Sequence, residues 1–156
     1  MGYSDFVNRL SATKFGGALT RATAAKVDPW IYKRTKGRWV MAGRPTIPQL
    51  TLTTIGRKSG QRREVQLAAL YEDDGSFVVV ASNFGQEHHP GWMYNLEADP
   101  QAWVLADGND YEVKAHSLSG EEKEKIWPRL HGIVPQFRTY LTRTDRDIRI
   151  FRLTPV

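Results

Sequence analysis

The chain has 156 residues, of which 40% are hydrophobic and 25% are charged, so a disordered chain is excluded and a globular fold is expected. It contains no cysteine, which excludes disulfides, thiolate zinc sites and cysteine nucleophiles. The net charge of +5 is uneven, because residues 1–40 carry eight Lys or Arg against two Asp, while residues 41–156 carry 14 basic and 15 acidic residues.

The uneven charge predicts a basic helical arm over residues 1–40, ahead of one domain over residues 41–156. Within the arm, Asp28-Pro29 is typical of a helix start, with Asp as the cap and Pro in the first turn. Basic residues interleaved with Trp and Phe favour an anionic partner, and we expect peripheral contact with an anionic membrane surface. Two alternatives stay open: a solvated helix, or a lid that packs its aromatic side chains on the domain.

No purely apolar run exceeds five residues, so neither a membrane-spanning helix nor a secretory signal is expected. We therefore predict a cytoplasmic protein, which the arm would place at the inner face of the cell membrane. No pattern of Gly or Pro decides the oligomeric state.

From residue 49 the hydrophobic period changes to two, which is typical of strands. The predicted strands are Gln49–Ile55, Glu64–Tyr71, Ser76–Ser82, Gln101–Ala106, Asp110–Leu118 and Arg149–Leu153. Helices are predicted over Gly91–Asp99, from Ser119 to Leu130 with Ser119 and Glu122 as a capping box, and over Pro135–Arg143. Because the strands are consecutive and hairpin-linked, the pattern favours a mainly β protein, an antiparallel barrel with flanking helices.

The first segment with chemical potential is the turn between the first two strands, Gly56-Arg57-Lys58-Ser59-Gly60-Gln61-Arg62-Arg63. Glycines let the backbone turn and present N–H groups, while Lys and Arg donate charge-assisted hydrogen bonds to phosphate or carboxylate. No Gly-Lys-Ser/Thr is present, so this is not a Walker loop. The pattern predicts an anion site, with a polar hairpin tip as the alternative.

The second segment follows a buried strand and runs from Ser82 through Asn95. A small polar residue before a glycine-containing loop suits a flat ligand, because backbone groups are exposed there. His88-His89 is a weak metal signal, since adjacent loop residues rarely chelate one ion, so no metal is expected. A histidine base and an ordinary loop histidine are the remaining interpretations.

The third segment places Phe137 and Tyr140 three residues apart on one helix face. They are expected to wall an apolar pocket, with the Tyr hydroxyl as a donor. The alternative is an aromatic pair that packs on the barrel.

Five motifs in this order resemble the deazaflavin (F420)-dependent nitroreductase family of actinobacteria. They are Thr53-Thr54-Ile55-Gly56-Arg57-Lys58-Ser59-Gly60-Gln61, Ala81-Ser82-Asn83-Phe84-Gly85, His89-Pro90-Gly91-Trp92-Met93-Tyr94-Asn95-Leu96, Trp127-Pro128 and Thr144-Asp145-Arg146. The resemblance covers the chain from about residue 48 to the C-terminus.

The resemblance implies a split β-barrel of the FMN-binding type and an oxidoreductase that uses coenzyme F420, a deazaflavin with an anionic tail. It implies hydride transfer from the reduced cofactor to a small or lipid-like acceptor: a quinone, an enone or a nitroaromatic. The implied cofactor-binding residues are Thr54, Gly56, Arg57, Lys58, Ser59, Gln61, Arg63, Ala81, Ser82, Asn83, Phe84, Gly85, Trp92 and Asn95. The implied acceptor-binding residues are Val134, Phe137 and Tyr140, with Tyr140 as the catalytic hydrogen-bond or proton donor.

The chain departs from the family pattern in two places. The best-known members have Lys-Gly-Gly after the strand-end Ser, where this chain has Asn83-Phe84-Gly85, and they carry several tyrosines where this chain has Val134, Phe137 and Tyr140. A more apolar acceptor than a nitroimidazole is therefore expected. The alternatives are an FMN-binding split-barrel oxidoreductase and a non-catalytic deazaflavin- or lipid-binding protein. Nucleic acid is not an expected partner, because residues 41–156 are not basic.

Overall fold

The computed structural model describes residues 26–36, 38–39 and 47–156, except for the side chain of Phe84. The chain divides into two compact units, the first formed by Met1–Thr46 with Leu105–Asn109, and the second by Ile47–Val104 with Asp110–Val156. Most of the predicted arm lies outside the described residues, so the boundary at residue 40 stays a prediction.

In the first unit, residues 26–34 form helix α1. The helix already includes Asp28, so the prediction that Asp28 caps its start is wrong. Its last turn is closed by Thr35, whose hydroxyl donates to the carbonyl of Ile31 at 2.8 Å and accepts the N–H of Trp39 at 3.0 Å. The N–H of Gly108 donates to the carbonyl of Lys36.

Seven strands form one sheet in the order β2-β1-β5-β6-β7-β4-β3. They are β1 Gln49–Ile55, β2 Arg62–Ala68, β3 Leu70–Tyr71, β4 Phe77–Val80, β5 Gln101–Ala106, β6 Asn109–Ser117 and β7 Ile150–Pro155. The pairs β1–β2, β3–β4, β4–β7 and β6–β7 are antiparallel. Strand β2 also approaches β4, so the sheet curls within the second unit.

The burial of each strand follows its sequence period. In β1, Leu50, Leu52 and Thr54 are fully buried, while the residues between them are partly exposed. All four residues of β4 are buried, which confirms the prediction of a strand covered on both faces.

Two local predictions are wrong. The strand predicted over Glu64–Tyr71 breaks at Ala69, whose N–H donates to the carbonyl of Pro48 at 2.9 Å, and the chain then leaves β1 to pair with β4. A strand that changes partners has to bend, and hydrophobic period alone does not show this. The capping box is absent as well, because Ser119 makes no side-chain cap and Glu122 binds Arg152 at 3.0 Å instead.

Three helices and one short turn complete the second unit. They are the 3-10 helix Asn83–Gly85, α2 Gly91–Ala98, α3 Gly120–Ile133 and α4 Gln136–Arg143. Helices α3 and α4 bury Ile126, Leu130 and Phe137 against Val78 and Val80 of β4. In the described part of the chain, no helix is both long and apolar enough to span a bilayer.

Candidate active site

A cavity of ≈ 320 Å³ lies in the second unit. That volume is at the lower end of ligand pockets, which measure roughly 300–1,000 Å³. Its lining comes from β2, the end of β4 and the loop that follows, the start of α2, and the α3–α4 region. The lining residues are Val65, Gln66, Leu67, Ala68, Val80, Ser82, Asn83, Pro90, Trp92, Val134, Phe137 and Tyr140.

One side of the cavity contains all three residues predicted to bind the acceptor. Val134 and Phe137 are buried, and Tyr140 is partly exposed. The Phe137 ring meets the rings of Tyr140 and Trp127 edge to face, at centroid distances of 6.3 and 6.5 Å. This side is therefore apolar except for the Tyr140 hydroxyl.

Helix α4 is held in place by the 3-10 helix beneath it. Gly85 has φ +76°, and a Cβ there would lie 2.9 Å from the Tyr140 carbonyl oxygen and 2.9 Å from Cβ of Arg143. Only glycine allows this approach, so Gly85 sets how closely Tyr140 lies to the loop after β4.

We expect Gly85→Ala to destabilise the protein by about 2 kcal/mol or more, because a left-handed conformation and a backbone clash combine. Gly75→Ala is the matched control, since Gly75 also has a positive φ of +88°, but a Cβ there would have no neighbouring atom within 4 Å. Urea unfolding measures both variants. Equal losses would mean that the α4 contact does not constrain residue 85.

Another part of the cavity lining is the strand end predicted to hold a flat ring. Ser82, Asn83 and Trp92 line it, and Asn83 donates from Nδ2 to the carbonyl of His88 at 2.9 Å. Ala81 is fully buried, so its side chain does not reach a ligand and its part is confined to its backbone. Of Phe84 only the backbone, in the 3-10 helix, is described.

The predicted anion loop is a tight turn between β1 and β2. The N–H of Gly56 donates to the Gln61 carbonyl at 2.7 Å, and the N–H of Gly60 donates to the Gly56 carbonyl at 2.8 Å. The Ser59 hydroxyl accepts from the N–H of Gln61 at 3.2 Å and from Arg63 Nη2 at 3.5 Å. The turn thus has a defined backbone and carries exposed polar side chains.

The four cations of this loop are exposed but differ in their contacts. The Arg57 guanidinium lies 4.8 Å from the centre of the Tyr94 ring, and the Arg62 guanidinium lies 3.9 Å from that of Trp103. The cation–π contact with Trp103 is the shorter of the two, so the Arg62 guanidinium is the more closely engaged. Arg57, Lys58 and Arg63 are therefore the three cations best able to meet an anion.

Two residues predicted to bind the cofactor are instead buried beneath this loop. The Asn95 amide donates to the Thr54 hydroxyl at 3.0 Å, and its oxygen accepts the N–H of Arg57 at 3.1 Å. Thr54 is 0% exposed. These hydrogen bonds hold the Arg57 backbone in place, and a cofactor contact of Thr54 and Asn95 stays a prediction.

Sequence reasoning missed two polar residues at this site, Gln66 and Arg146, and considered His89 only as a weak metal ligand or a base. Gln66 lines the cavity from β2, and its amide donates to the side-chain oxygen of Gln49 at 2.5 Å. It was missed because a polar residue on an alternating strand is usually interpreted as solvent-facing. Arg146 and His89 contact each other behind the strand end, at 2.8 Å. For Arg146, its place in the family motif Thr144-Asp145-Arg146 was the only signal.

Burial and the nearby charges of Arg146 and Arg149 lower the pKa of His89 below the usual 6.5, so His89 is neutral at pH 7. Across residues 26–36, 38–39 and 47–156, no cluster of three or more His, Asp or Glu side chains is suitable for a metal ion.

Comparison with known proteins decides the family. The profile of the F420H(2)-dependent quinone reductase family matches residues 24–155. The chain belongs to this family. An F420H(2)-dependent quinone reductase of Mycobacterium tuberculosis is 33% identical over 132 residues, which are 80% of this chain and 85% of the relative.

Solved structures agree with the family. One described as an F420-H2 dependent reductase has 36% identity and a TM-score of 0.62, and the match covers 68% of this chain and 93% of the other. A second, described as a domain-swapped dimer, has 31% identity and a TM-score of 0.64, and the match covers 80% and 97% of the two chains. These findings confirm the predicted split β-barrel fold, the oxidoreductase class and coenzyme F420 as the cofactor.

Proposed function

We propose that this reductase binds the deazaflavin ring of F420 in the cavity beside Ser82, Asn83 and Trp92. The anionic tail lies along Arg57, Lys58 and Arg63, and a quinone-type acceptor lies against Val134, Phe137 and Tyr140. The observation that carries the proposal is strand β2, which begins at the cationic loop and continues as the cavity wall. Arg63 is two residues from Val65, roughly 7 Å along a strand.

The residues present suit this cofactor. A polyanionic tail needs several exposed hydrogen-bond donors. The loop presents three exposed cations, Arg57, Lys58 and Arg63, and Arg63 also contacts the Ser59 hydroxyl. A planar ring needs a flat, mostly apolar slot with a few polar groups at its edge. Gln66, Ser82 and Asn83 provide those groups, and apart from the Tyr140 hydroxyl the rest of the cavity is lined by apolar side chains.

When bound, reduced F420 supplies the hydride, so the protein needs no nucleophile of its own. Trp92, Val134 and Phe137 exclude water from the acceptor, while the strand-end loop orients the two reactants. The Tyr140 hydroxyl donates a hydrogen bond to the acceptor oxygen that becomes negatively charged. A phenol O–H is a hydrogen-bond donor that needs no charge.

The proposal predicts that the purified protein binds F420 at least tenfold more tightly than FMN, because FMN carries a single phosphate and the loop presents three cations. Fluorescence titration of both compounds measures this. Turnover of the reduced cofactor with a water-soluble quinone provides the activity assay. Equal affinities, or no turnover with any quinone, would contradict the proposal.

We also propose that the N-terminal unit contacts anionic membranes. Lys26, Trp30 and Arg34 are four residues apart on α1, so they share one helix face, and all three are exposed, Trp30 by 65%. An exposed Trp between two cations is typical of a helix that lies at a lipid interface.

The full chain is therefore expected to co-sediment with vesicles containing an anionic phospholipid at low salt, and to do so less as salt rises. A Lys26→Gln/Trp30→Ser/Arg34→Gln variant should lose most of this binding. Lys114→Gln/Lys125→Gln removes the same charge from exposed positions elsewhere and should retain it. If wild type ignores anionic vesicles at low salt, the membrane role is wrong.

A further inference from the structure

Arg146, in the segment between α4 and β7, is the centre of a hydrogen-bond network behind the cavity. Its Nε donates to the Gln86 carbonyl at 2.9 Å, and its Nη1 donates to the Ala81 carbonyl at 3.0 Å. Its Nη2 donates to the Ser82 carbonyl, and its Nη1 also contacts Nδ1 of His89 at 2.8 Å. One side chain thus connects both ends of the loop that follows β4.

The chemistry of the pair decides the state of His89. Arginine has N–H donors and no acceptor, so Nδ1 of His89 has to accept the hydrogen bond. His89 is therefore neutral, with its proton on Nε2. A lysine could not replace this arginine, because one ammonium cannot reach four acceptors that are spread around a planar fork.

We propose that Arg146 is a positioning residue of the reductase: it holds the cavity wall at Ser82 through the Ala81 and Ser82 carbonyls while His89 is neutral. The inference rests on the proposed function, because it takes the cavity as the reaction site. Arg146 acts through the loop backbone and touches no reactant. Protonation of His89 removes the acceptor and places a second cation against the guanidinium, so the wall loosens.

The other charges around His89 determine where this change occurs. Arg146 and Arg149 oppose its protonation, whereas Glu97 and Asp147 favour it, and the His89 ring meets Tyr94 edge to face. Burial and the two arginines prevail, so the pKa of His89 is below 6.5. The loop contact is complete at neutral pH and is lost as pH falls through that lowered pKa.

The first test compares arginine variants in the full-length protein with reduced F420 and a water-soluble quinone. Arg146→Lys and Arg146→Met should lower kcat by roughly tenfold to a hundredfold, because the reactants are misaligned. The acceptor KM should change much less. Arg149→Gln is the matched control, since this neighbouring arginine pairs with Glu97 and Asp147 at 3.6 and 3.7 Å and donates to none of the loop carbonyls. The Arg149→Gln variant should keep the wild-type kcat at neutral pH.

The second test uses the pH profile of kcat. Wild type should lose turnover as pH falls through the pKa of His89, which burial and the two arginines hold below 6.5. His89→Asn keeps an acceptor at the position of Nδ1 and cannot titrate, so this loss should disappear while the plateau remains. Arg149→Gln removes one repelling cation and should move the loss to higher pH. If Arg146 only stabilised the fold, the pH dependence of kcat would be the same in wild type and in His89→Asn.

A third measurement does not depend on activity. ¹⁵N NMR of the histidine rings at pH 7 should show His89 protonated at Nε2 only, and the Arg146→Met variant should lose that preference. Protonation at Nδ1, wild-type kcat in Arg146→Lys, or an unchanged acid loss in His89→Asn would each overturn the proposal. Wild type that binds no F420 would instead overturn the proposed function, whatever the His89 tautomer.

Discussion

Replacing Tyr140 by Phe is expected to lower quinone turnover by roughly tenfold to a hundredfold, a loss of about 1.4–2.8 kcal/mol of transition-state stabilisation. Hydride addition to a quinone or enone leaves negative charge on the acceptor oxygen. That charge has to be stabilised, and the oxygen is then protonated. Among the three residues on the acceptor side of the cavity, Tyr140 alone has a hydroxyl. The hydrogen bond from Tyr140 strengthens as the negative charge develops in the transition state, so its loss should appear mainly in kcat.

The affinity for F420 should hardly change in Tyr140→Phe, because the site proposed for the tail is the loop with Arg57, Lys58 and Arg63. Phe137→Ala should instead raise the acceptor KM by removing an apolar wall. Tyr111→Phe is the matched control, since Tyr111 packs edge to face on Phe77 and does not line the cavity. Steady-state kinetics with saturating reduced F420 decides the question. Wild-type turnover in Tyr140→Phe would reject Tyr140 as the donor.

Removal of the three loop cations together, as Arg57→Gln/Lys58→Gln/Arg63→Gln, is expected to weaken F420 binding by roughly a hundredfold or more. Each single change should cost about 1–2 kcal/mol, the range of hydrogen bonds to charged groups, and neighbouring changes need not add. Because these side chains are exposed, the wild-type affinity should also fall as salt rises, and the triple variant should lose most of that dependence.

Arg62→Gln is the matched control for this loop. It removes one positive charge from the same turn, but its guanidinium stacks on Trp103 at 3.9 Å. Its affinity for F420 should therefore remain close to wild type. Fluorescence titration at two salt concentrations tests all the variants. A salt-independent affinity that survives the triple change would mean that the loop is an ordinary hairpin tip.

Features that depend on nearby residues were predictable from the sequence. The alternation of Leu50 and Leu52 predicted β1, and the apolar run from Phe77 predicted a strand buried on both faces. The glycines of the first turn predicted its tight backbone, and Phe137 and Tyr140 at helical spacing predicted a shared aromatic face. In each case the physical cause acts between residues that are close in the sequence, so the local sequence is sufficient for the prediction.

The tertiary structure alone decided how distant segments meet. Gln66 faces a cavity because β2 curls towards β4, and the predicted single strand breaks at Ala69 because its continuation pairs with a different neighbour. The buried Thr54 hydroxyl is satisfied by the amide of Asn95, which lies 41 residues later in the chain. No local pattern shows which buried polar group will find which partner.

Arg146 shows the difference most clearly. By itself the sequence determined the family motifs, the basic arm and the cationic loop, because charge, glycine and period are properties of single residues and their neighbours. It did not show that Arg146 donates to carbonyls 60 to 65 residues earlier in the chain, or that His89 has to be neutral to accept its remaining hydrogen bond. Those facts follow from the fold, which places a partly buried cation against three backbone oxygens and one imidazole nitrogen.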